Sequence, residues 1–180
     1  MNERKNEATI NGTPLTALGD HLQPGSLAPE VTLKDGTLTT FNLLSDTADK
    51  IRIISVVPCI DTGLCEMQTL RVNEEINRLQ TEEIVAITVS TDLPESQARF
   101  CGRAGVENIT MLSDHMDMQF GAAYGTWLKE LRKEQRSVFV VDKNNVVQHA
   151  EYVSEVGHAI NYEAVFAVVN ALLHESKTKA

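Results

Sequence analysis

The sequence has few cysteines, few aromatic residues and no long apolar run. Of its 180 residues only three are cysteine, and aromatic residues make up 5%. The longest mostly apolar run, from Ile53 to Ile60, is far shorter than the roughly 20 residues that span a bilayer. Residues 1–8 are polar and mixed in charge, unlike the apolar part of a signal peptide. We therefore expect a cytoplasmic protein with no membrane partner. Because the number of cysteines is odd and no export signal is present, we do not expect a set of structural disulfides.

Patterns that bind metals, phosphates or nucleic acids are also absent from the sequence. No C-x2-C pair occurs, the five histidines form no H-x3-5-H pair, and there is no glycine-rich phosphate loop. Lysine and arginine number 16 against 25 aspartates and glutamates, which gives a formal net charge of -9. Nucleic acids and anionic membranes attract basic surfaces, so we expect neither as a partner.

The rest of the composition is that of one globular domain. Hydrophobic residues make up 42% and charged residues 23%, which is enough for a core and too little charge for general disorder. The length corresponds to about one domain. We expect a flexible tail over residues 1–8, a single domain over residues 9–174 and a C-terminal tail over residues 175–180.

Hydrophobic periodicity predicts alternating strands and helices after two N-terminal hairpins. The hairpins are indicated by the turn pairs Asn11-Gly12 and Asp35-Gly36. Strands are expected at 51–57, 84–90, 109–112, 137–141 and 146–153, and helices at 64–79, 94–103, 117–124 and 161–174. Strand–helix alternation followed by an antiparallel pair predicts an α/β fold with a mixed central sheet and helices on both faces.

The segment from Pro58 to Cys65 joins a predicted buried strand to a predicted helix. Thr62 or Asp61 is a suitable N-cap residue, which places Cys65 in the first helical turn. Backbone N–H groups there have no helical acceptor, and the positive end of the helix dipole favours an anionic sulfur. Because the thiolate is the reactive form of cysteine, this position predicts a nucleophile. The spacing alone also fits a helix that Thr62 only caps and in which Cys65 only packs.

One motif in this segment resembles the signature of the peroxiredoxins. The pattern Pro-x-x-x-Thr-x-x-Cys is present as Pro58, Thr62 and Cys65. The longer string Pro-x-Ile-Asp-Thr-Gly-x-Cys is similar to that of the thiol peroxidase subfamily of atypical two-cysteine peroxiredoxins. A match to both patterns makes the resemblance more specific than a cysteine at a helix start.

Two further motifs support the resemblance. The segments 90–94 (Ser-Thr-Asp-Leu-Pro) and 98–102 (Ala-Arg-Phe-Cys-Gly) are similar to the region around the resolving cysteine of that subfamily. Arg136, directly before the predicted strand 137–141, stands at the position of the family's active-site arginine. The resemblance covers about residues 9–174 and implies a thioredoxin-like fold with an N-terminal β-hairpin.

The resemblance implies roles for five residues. Cys65 corresponds to the peroxidatic cysteine, which attacks a peroxide and becomes a sulfenic acid, and Cys101 to the resolving cysteine, which then forms an intrachain disulfide with Cys65. Arg136 and Thr62 are expected to hold the thiolate and hydrogen-bond the peroxide oxygens, while Pro58 shields the sulfur from water. Since the two cysteines lie on separate predicted helices, we expect local unwinding around both on oxidation.

The resemblance also implies substrates and partners. The substrates would be hydrogen peroxide and alkyl or lipid hydroperoxides, and thioredoxin would be the reductant. The family forms homodimers, needs no metal or organic cofactor, and serves antioxidant defence.

Alternatives stay open for one cysteine and for the overall activity. Cys59 stands where the subfamily usually has a serine, and it is either a small buried residue or another partner for Cys65. A peroxide sensor or thiol–disulfide relay protein would use the same disulfide without efficient turnover. A dithiol oxidoreductase on the same fold is disfavoured for two reasons. Thr62 stands where its C-x-x-C motif needs the first cysteine, and the cis-proline that it needs before the later strand is missing, since no proline follows Pro94.

Overall fold

Eleven strands form two sheets in the computed structural model of the protein, which describes residues 1–178. They are β1 (Glu3–Ile10), β2 (Thr13–Leu18), β3 (Thr32–Asp35), β4 (Thr40–Asn42), β5 (Ile51–Val56), β6 (Ile84–Ser90), β7 (Ile109–Ser113), β8 (Trp127–Leu128), β9 (Lys133–Glu134), β10 (Ser137–Val141) and β11 (Val147–Tyr152). The larger sheet has seven strands in the order β11-β10-β5-β6-β7-β3-β4, of which β5, β6 and β7 run parallel. The smaller sheet has the order β1-β2-β8-β9 and is antiparallel.

Helices pack against both faces of the larger sheet. Within the described residues they are α1 (Gly63–Leu79), α2 (Pro94–Ala104), α3 (Gln119–Tyr124) and α4 (Tyr162–Thr178). Strand β5 is buried along its whole length, and its side chains alternate between two hydrophobic cores. Ile51 and Ile53 join the core that contains residues of α1, α2 and α4, whereas Ile54 and Val56 join the core that contains residues of α3. No helix in residues 1–178 has both the length and the hydropathy to cross a membrane.

The register of the sheet brings three loops to one edge. Strand β10 runs antiparallel to β5 and pairs Ser137 with Val56, the last residue of β5. Strand β6 runs parallel to β5 and ends one pair later, at Ser90. The residues after β5, the residues after β6 and the residues before β10 therefore meet at the carboxyl end of the parallel strands, where α/β sheets usually carry their sites.

The predicted α/β architecture is confirmed. The structure has a mixed central sheet with flanking helices and an N-terminal hairpin, as expected for a thioredoxin-like fold. The hairpin turns at Asn11 and Gly12, as predicted. Strands β8 and β9 were not predicted, because each has two residues and so shows no period.

The predicted boundaries of the two tails need correction. Strand β1 begins at Glu3, inside the segment expected to be a flexible tail over residues 1–8. The strand is held by contacts distant in sequence: Arg4 Nη2 donates to Gly125 O at 2.7 Å, and Glu7 pairs with His21 at 2.8 Å. At the other end, α4 continues to Thr178, so residues 175–178 extend the helix. The remainder of that predicted tail, residues 179–180, lies outside the described residues.

Two buried carboxyl groups face each other between the sheets. Asp114 is 3% exposed and accepts a bond from Gly121 N at 2.9 Å, while Glu134 is fully buried and accepts one from the Thr126 hydroxyl. Burial, and then the neighbouring Asp114 charge, raise the pKa of Glu134 well above its usual value. Glu134 Oε1 has no other partner in the described part of the chain, which fits a protonated carboxyl that donates to Asp114.

We predict that this carboxyl pair lowers stability at alkaline pH. Because the pKa of Glu134 is raised on folding, its contribution to stability is present at acid pH and is lost as pH rises through the folded-state pKa. Glu134→Gln keeps a donor to Asp114 and an acceptor for Thr126. Urea unfolding at pH 5, 7 and 8.5 should show the variant gaining on the wild type by about 1.4 kcal/mol per pH unit inside the titration range.

Glu107→Gln, at an exposed position, is the matched control for loss of one carboxyl. It should keep the pH dependence of the wild type. A Glu134→Gln variant with the same pH dependence as the wild type would show that Glu134 is ionised in the folded state.

Candidate active site

Cys65 lies in the first turn of α1, directly after the loop that leaves β5. Pro58 is buried in that loop, and Thr62 is the residue before the first helical position. The first helical hydrogen bond runs from Glu66 N to Thr62 O at 2.9 Å, so the N–H of Cys65 precedes the helical ladder. The Cys65 side chain is 1% exposed and belongs to a hydrophobic core. Its sulfur therefore combines the positive end of a helix with exclusion from water.

A buried arginine contacts this sulfur. Arg136 is 2% exposed, and its Nη2 donates to Cys65 Sγ at 3.4 Å. The same guanidinium donates from Nε to Val156 O at 3.1 Å and from Nη1 to Gln68 Oε1 at 2.9 Å. This contact places a guanidinium, a planar cation with five N–H donors, directly beside the Cys65 sulfur. The structure thus brings together two of the predicted site residues, 71 positions apart in sequence.

Gln68 is a site residue that the sequence analysis missed. It is fully buried, and besides accepting from Arg136 it donates from Nε2 to Ser55 Oγ at 2.8 Å. It therefore links the guanidinium to strand β5. Gln68 follows Cys65 by three positions, which on a helix places both side chains on the same face. That spacing, together with a polar residue on an apolar helix face, was the available signal.

Thr62 is oriented by the loop and not by the helix. Its hydroxyl donates to Cys59 O at 3.1 Å, and it makes no side-chain capping bond to α1. The expectation that Thr62 or Asp61 caps the helix through its side chain is therefore wrong, although Thr62 does occupy the N-cap position. The Thr62 hydroxyl oxygen keeps its lone pairs as acceptors and is partly open to solvent.

Cys101 lies on α2, half-buried against the same hydrophobic core as Cys65. All three cysteines are free thiols in this structure. Burial raises the pKa of the Cys101 thiol, so at neutral pH it is protonated and weakly nucleophilic. The structure therefore holds a reduced arrangement in which one cysteine faces a cation and the other is shielded.

Cys59 and the next residue contact a carboxylate from a neighbouring loop. Cys59 Sγ donates to Asp92 Oδ1 at 3.5 Å, and Ile60 N donates to Asp92 Oδ2 at 2.7 Å. Asp92 lies between β6 and α2. Cys59 is half-buried and lines a cavity of about 290 Å³ together with residues of α2, among them Arg99, and with Asp92.

Comparisons with known proteins agree with this geometry. A protein-family model described as Redoxin matches residues 23–166. The thiol peroxidase of Bacillus subtilis (strain 168) is 45% identical over 167 residues, which is 93% of this chain and 98% of that protein. The chain belongs to the redoxin family, among its thiol peroxidases. The resemblance found in the sequence is therefore confirmed, and the protein is a peroxidase of the oxidoreductase class.

Two further relatives show how far the likeness extends. The thiol peroxidase of Staphylococcus aureus (strain MRSA252) is 42% identical over 161 residues, 89% of this chain and 96% of that protein. The crystal structure of a peroxiredoxin-like protein from Aquifex aeolicus has a TM-score of 0.85 and 29% identity, and covers 96% of this chain and 99% of its own. The likeness thus extends over nearly the whole chain.

We predict that Gln68→Met slows the reaction of Cys65 with peroxide by about tenfold, because the buried Arg136 loses an acceptor and its position beside the sulfur. The measurement is the second-order rate of Cys65 oxidation by hydrogen peroxide in stopped flow, with stability followed separately.

Asn73→Leu is the control, since Asn73 is also a buried amide on α1 and accepts a bond from Asn108 N, away from Arg136. It should lower stability without slowing the peroxide reaction. Equal slowing in both variants would mean that Gln68 acts only through the stability of the helix.

Proposed function

We propose that this thiol peroxidase reduces hydrogen peroxide and alkyl or lipid hydroperoxides through Cys65, and that thioredoxin recycles it. The observation that carries the proposal is the contact between a buried guanidinium, Arg136, and the sulfur of a cysteine in the first turn of a helix. A peroxide is uncharged, so its nucleophile must be ionised in advance. A fixed cation and a helix N-terminus lie beside this sulfur, where they can stabilise the thiolate that the reaction requires.

In the first step, the Cys65 thiolate attacks one peroxide oxygen. A sulfur–oxygen bond forms, the O–O bond breaks, and the leaving oxygen takes a proton to become water or an alcohol. Negative charge moves from the sulfur to the leaving oxygen, so donors must already point at both. Arg136 and the Cys65 N–H donate hydrogen bonds to the sulfur and the leaving oxygen, which carry the negative charge. The Thr62 hydroxyl orients the peroxide. Pro58, buried in the loop, keeps water from the sulfur.

In the second step, Cys101 attacks the sulfenic acid of Cys65. The disulfide forms as the sulfur–oxygen bond breaks, and the departing hydroxide leaves as water with the proton of Cys101. Cys65 is 1% exposed and Cys101 lies on another helix, so we expect both segments to move. Exposure of Cys101 removes the burial that raises its pKa, and so makes its thiolate available.

In the third step, thioredoxin reduces the disulfide, with electrons from NADPH through thioredoxin reductase. Closing the loop between Cys65 and Cys101 restricts the unfolded chain by about 4 kcal/mol, and the structural rearrangement offsets part of this. The bond is therefore stable enough to form and still reducible. We also propose a homodimer in the cytoplasm that serves antioxidant defence; both rest on the family resemblance.

We predict distinct outcomes for the three cysteines in an assay that couples NADPH oxidation, through thioredoxin reductase and thioredoxin, to reduction of hydrogen peroxide or cumene hydroperoxide. Cys65→Ser should abolish activity, because serine offers no thiolate. Cys101→Ser should complete one turnover and then stop, because thioredoxin has no disulfide to reduce. Cys59→Ser should retain turnover.

Mass mapping of the oxidised wild type completes this test. The expected linked pair is Cys65 with Cys101. A Cys59–Cys65 bond as the major species would assign the resolving role to Cys59, and stoichiometric oxidation without recycling would favour a peroxide sensor. Steady-state turnover in Cys65→Ser would contradict the mechanism.

A further inference from the structure

A single carboxylate joins the loop before Cys65 to the loop before the helix that carries Cys101. Asp92 uses both oxygens on the first loop: Oδ2 accepts from Ile60 N at 2.7 Å and Oδ1 from Cys59 Sγ at 3.5 Å. Its own backbone is fixed in turn, since its carbonyl accepts from Ser113 Oγ at 2.5 Å. Two residues later α2 begins, at Pro94.

The two residues that Asp92 contacts are also linked to Thr62 and to the core around Cys65. Ile60 is 1% exposed and packs in the same core as Cys65, so its backbone position is set from both sides. The carbonyl of Cys59, the residue whose thiol Asp92 holds, accepts the hydroxyl of Thr62 at 3.1 Å. Charge-assisted bonds that backbone N–H groups donate to a carboxylate are among the stronger hydrogen bonds in proteins.

We propose that Asp92 is a positioning residue that holds the peroxide-reactive form of the Cys65 loop and whose contacts must break before Cys65 reaches Cys101. The proposal rests on the proposed function, because it assigns Asp92 opposite effects on that function's first two steps. With the Asp92 contacts made, the loop presents Thr62 and the sulfur to peroxide. With them broken, the loop and the start of α2 separate, and the disulfide can form.

The test separates these two steps. In Asp92→Ala, oxidation of Cys65 by hydrogen peroxide should be about tenfold slower, because loss of charge-assisted bonds shifts the loop away from its reactive position. Disulfide formation from the sulfenic acid should become faster. The yield of Cys65 sulfinic acid under excess peroxide should fall, since the sulfenic acid is trapped sooner.

Two milder variants keep the test usable if Asp92→Ala fails to fold. Asp92→Asn keeps an oxygen for Ile60 N–H but loses the charge, and should show the same opposite shifts at smaller size. Cys59→Ala removes only the thiol contact and should have the smallest effect, because a thiol is a weak donor. Asp61→Asn is the control: this carboxylate lies in the same loop, is 86% exposed and, among the described residues, pairs with Arg103 alone, at 3.7 Å. It should leave both rates unchanged.

Several outcomes would overturn the proposal. They are unchanged rates in Asp92→Ala and Asp92→Asn, a slowing of both steps by the same factor, or a matching effect in Asp61→Asn. A purely structural role would lower stability without moving the two rates in opposite directions.

Amide hydrogen exchange distinguishes this proposal from the proposed function. The Ile60 amide should exchange slowly in the reduced wild type and Asp61→Asn, and at least tenfold faster in Asp92→Ala, whatever the activity. An inactive wild type with a protected Ile60 amide would contradict the proposed function but would support the hydrogen bond between Ile60 N and Asp92. An active wild type with an unprotected amide would contradict the role of Asp92 alone.

Discussion

The site depends on a cation that the protein has removed from water. Arg136 is 2% exposed, and burying a guanidinium costs free energy unless its N–H donors have acceptors and its positive charge has a negative partner. A carbonyl and an amide oxygen match two donors of Arg136, and the sulfur of Cys65 offers the place for a compensating negative charge. Oxidation of that sulfur to a neutral species removes the compensation. In the proposed mechanism, the contact that stabilises the thiolate is therefore lost once the thiolate is consumed, and this loss favours departure from the reduced arrangement.

The remaining residues of the site act mainly through this contact or through the loop before Cys65. Gln68 ties the guanidinium to strand β5, and Asp92 ties the loop to the start of α2. These connections belong to different elements, so the reaction at the sulfur and the motion of the loop can be altered separately. Burial raises the pKa of the Cys101 thiol, and in the proposed mechanism this keeps the second thiol protonated until its segment moves.

The sequence predicted those site residues whose role follows from local structure or from a family motif. The position of Cys65 at a strand–helix junction followed from periodicity and from Thr62 as an N-cap position, and the family likeness added Arg136. Gln68 was missed because a buried glutamine has no local signature beyond its spacing. The start of strand β1 was missed because Arg4 finds its acceptor at Gly125, 121 positions away. Asp92 lay in a noted motif, but its partners are 32 and 33 positions earlier in the chain and appear only in three dimensions.

The pairing of β10 with β5 has a consequence for how the chain tolerates change in length. Ser137 lies opposite Val56, so Arg136 precedes the first rung of this ladder, beside the loop that leads to Cys65. A single inserted residue that shifted this ladder would turn the guanidinium to the opposite face of the sheet. The turn at Asn144 and Asn145 joins β10 to β11 at the end far from Arg136, where an inserted residue would leave the pairing of β10 with β5 in register. Insertions and deletions should therefore accumulate at the turn between β10 and β11 and be eliminated beside Arg136.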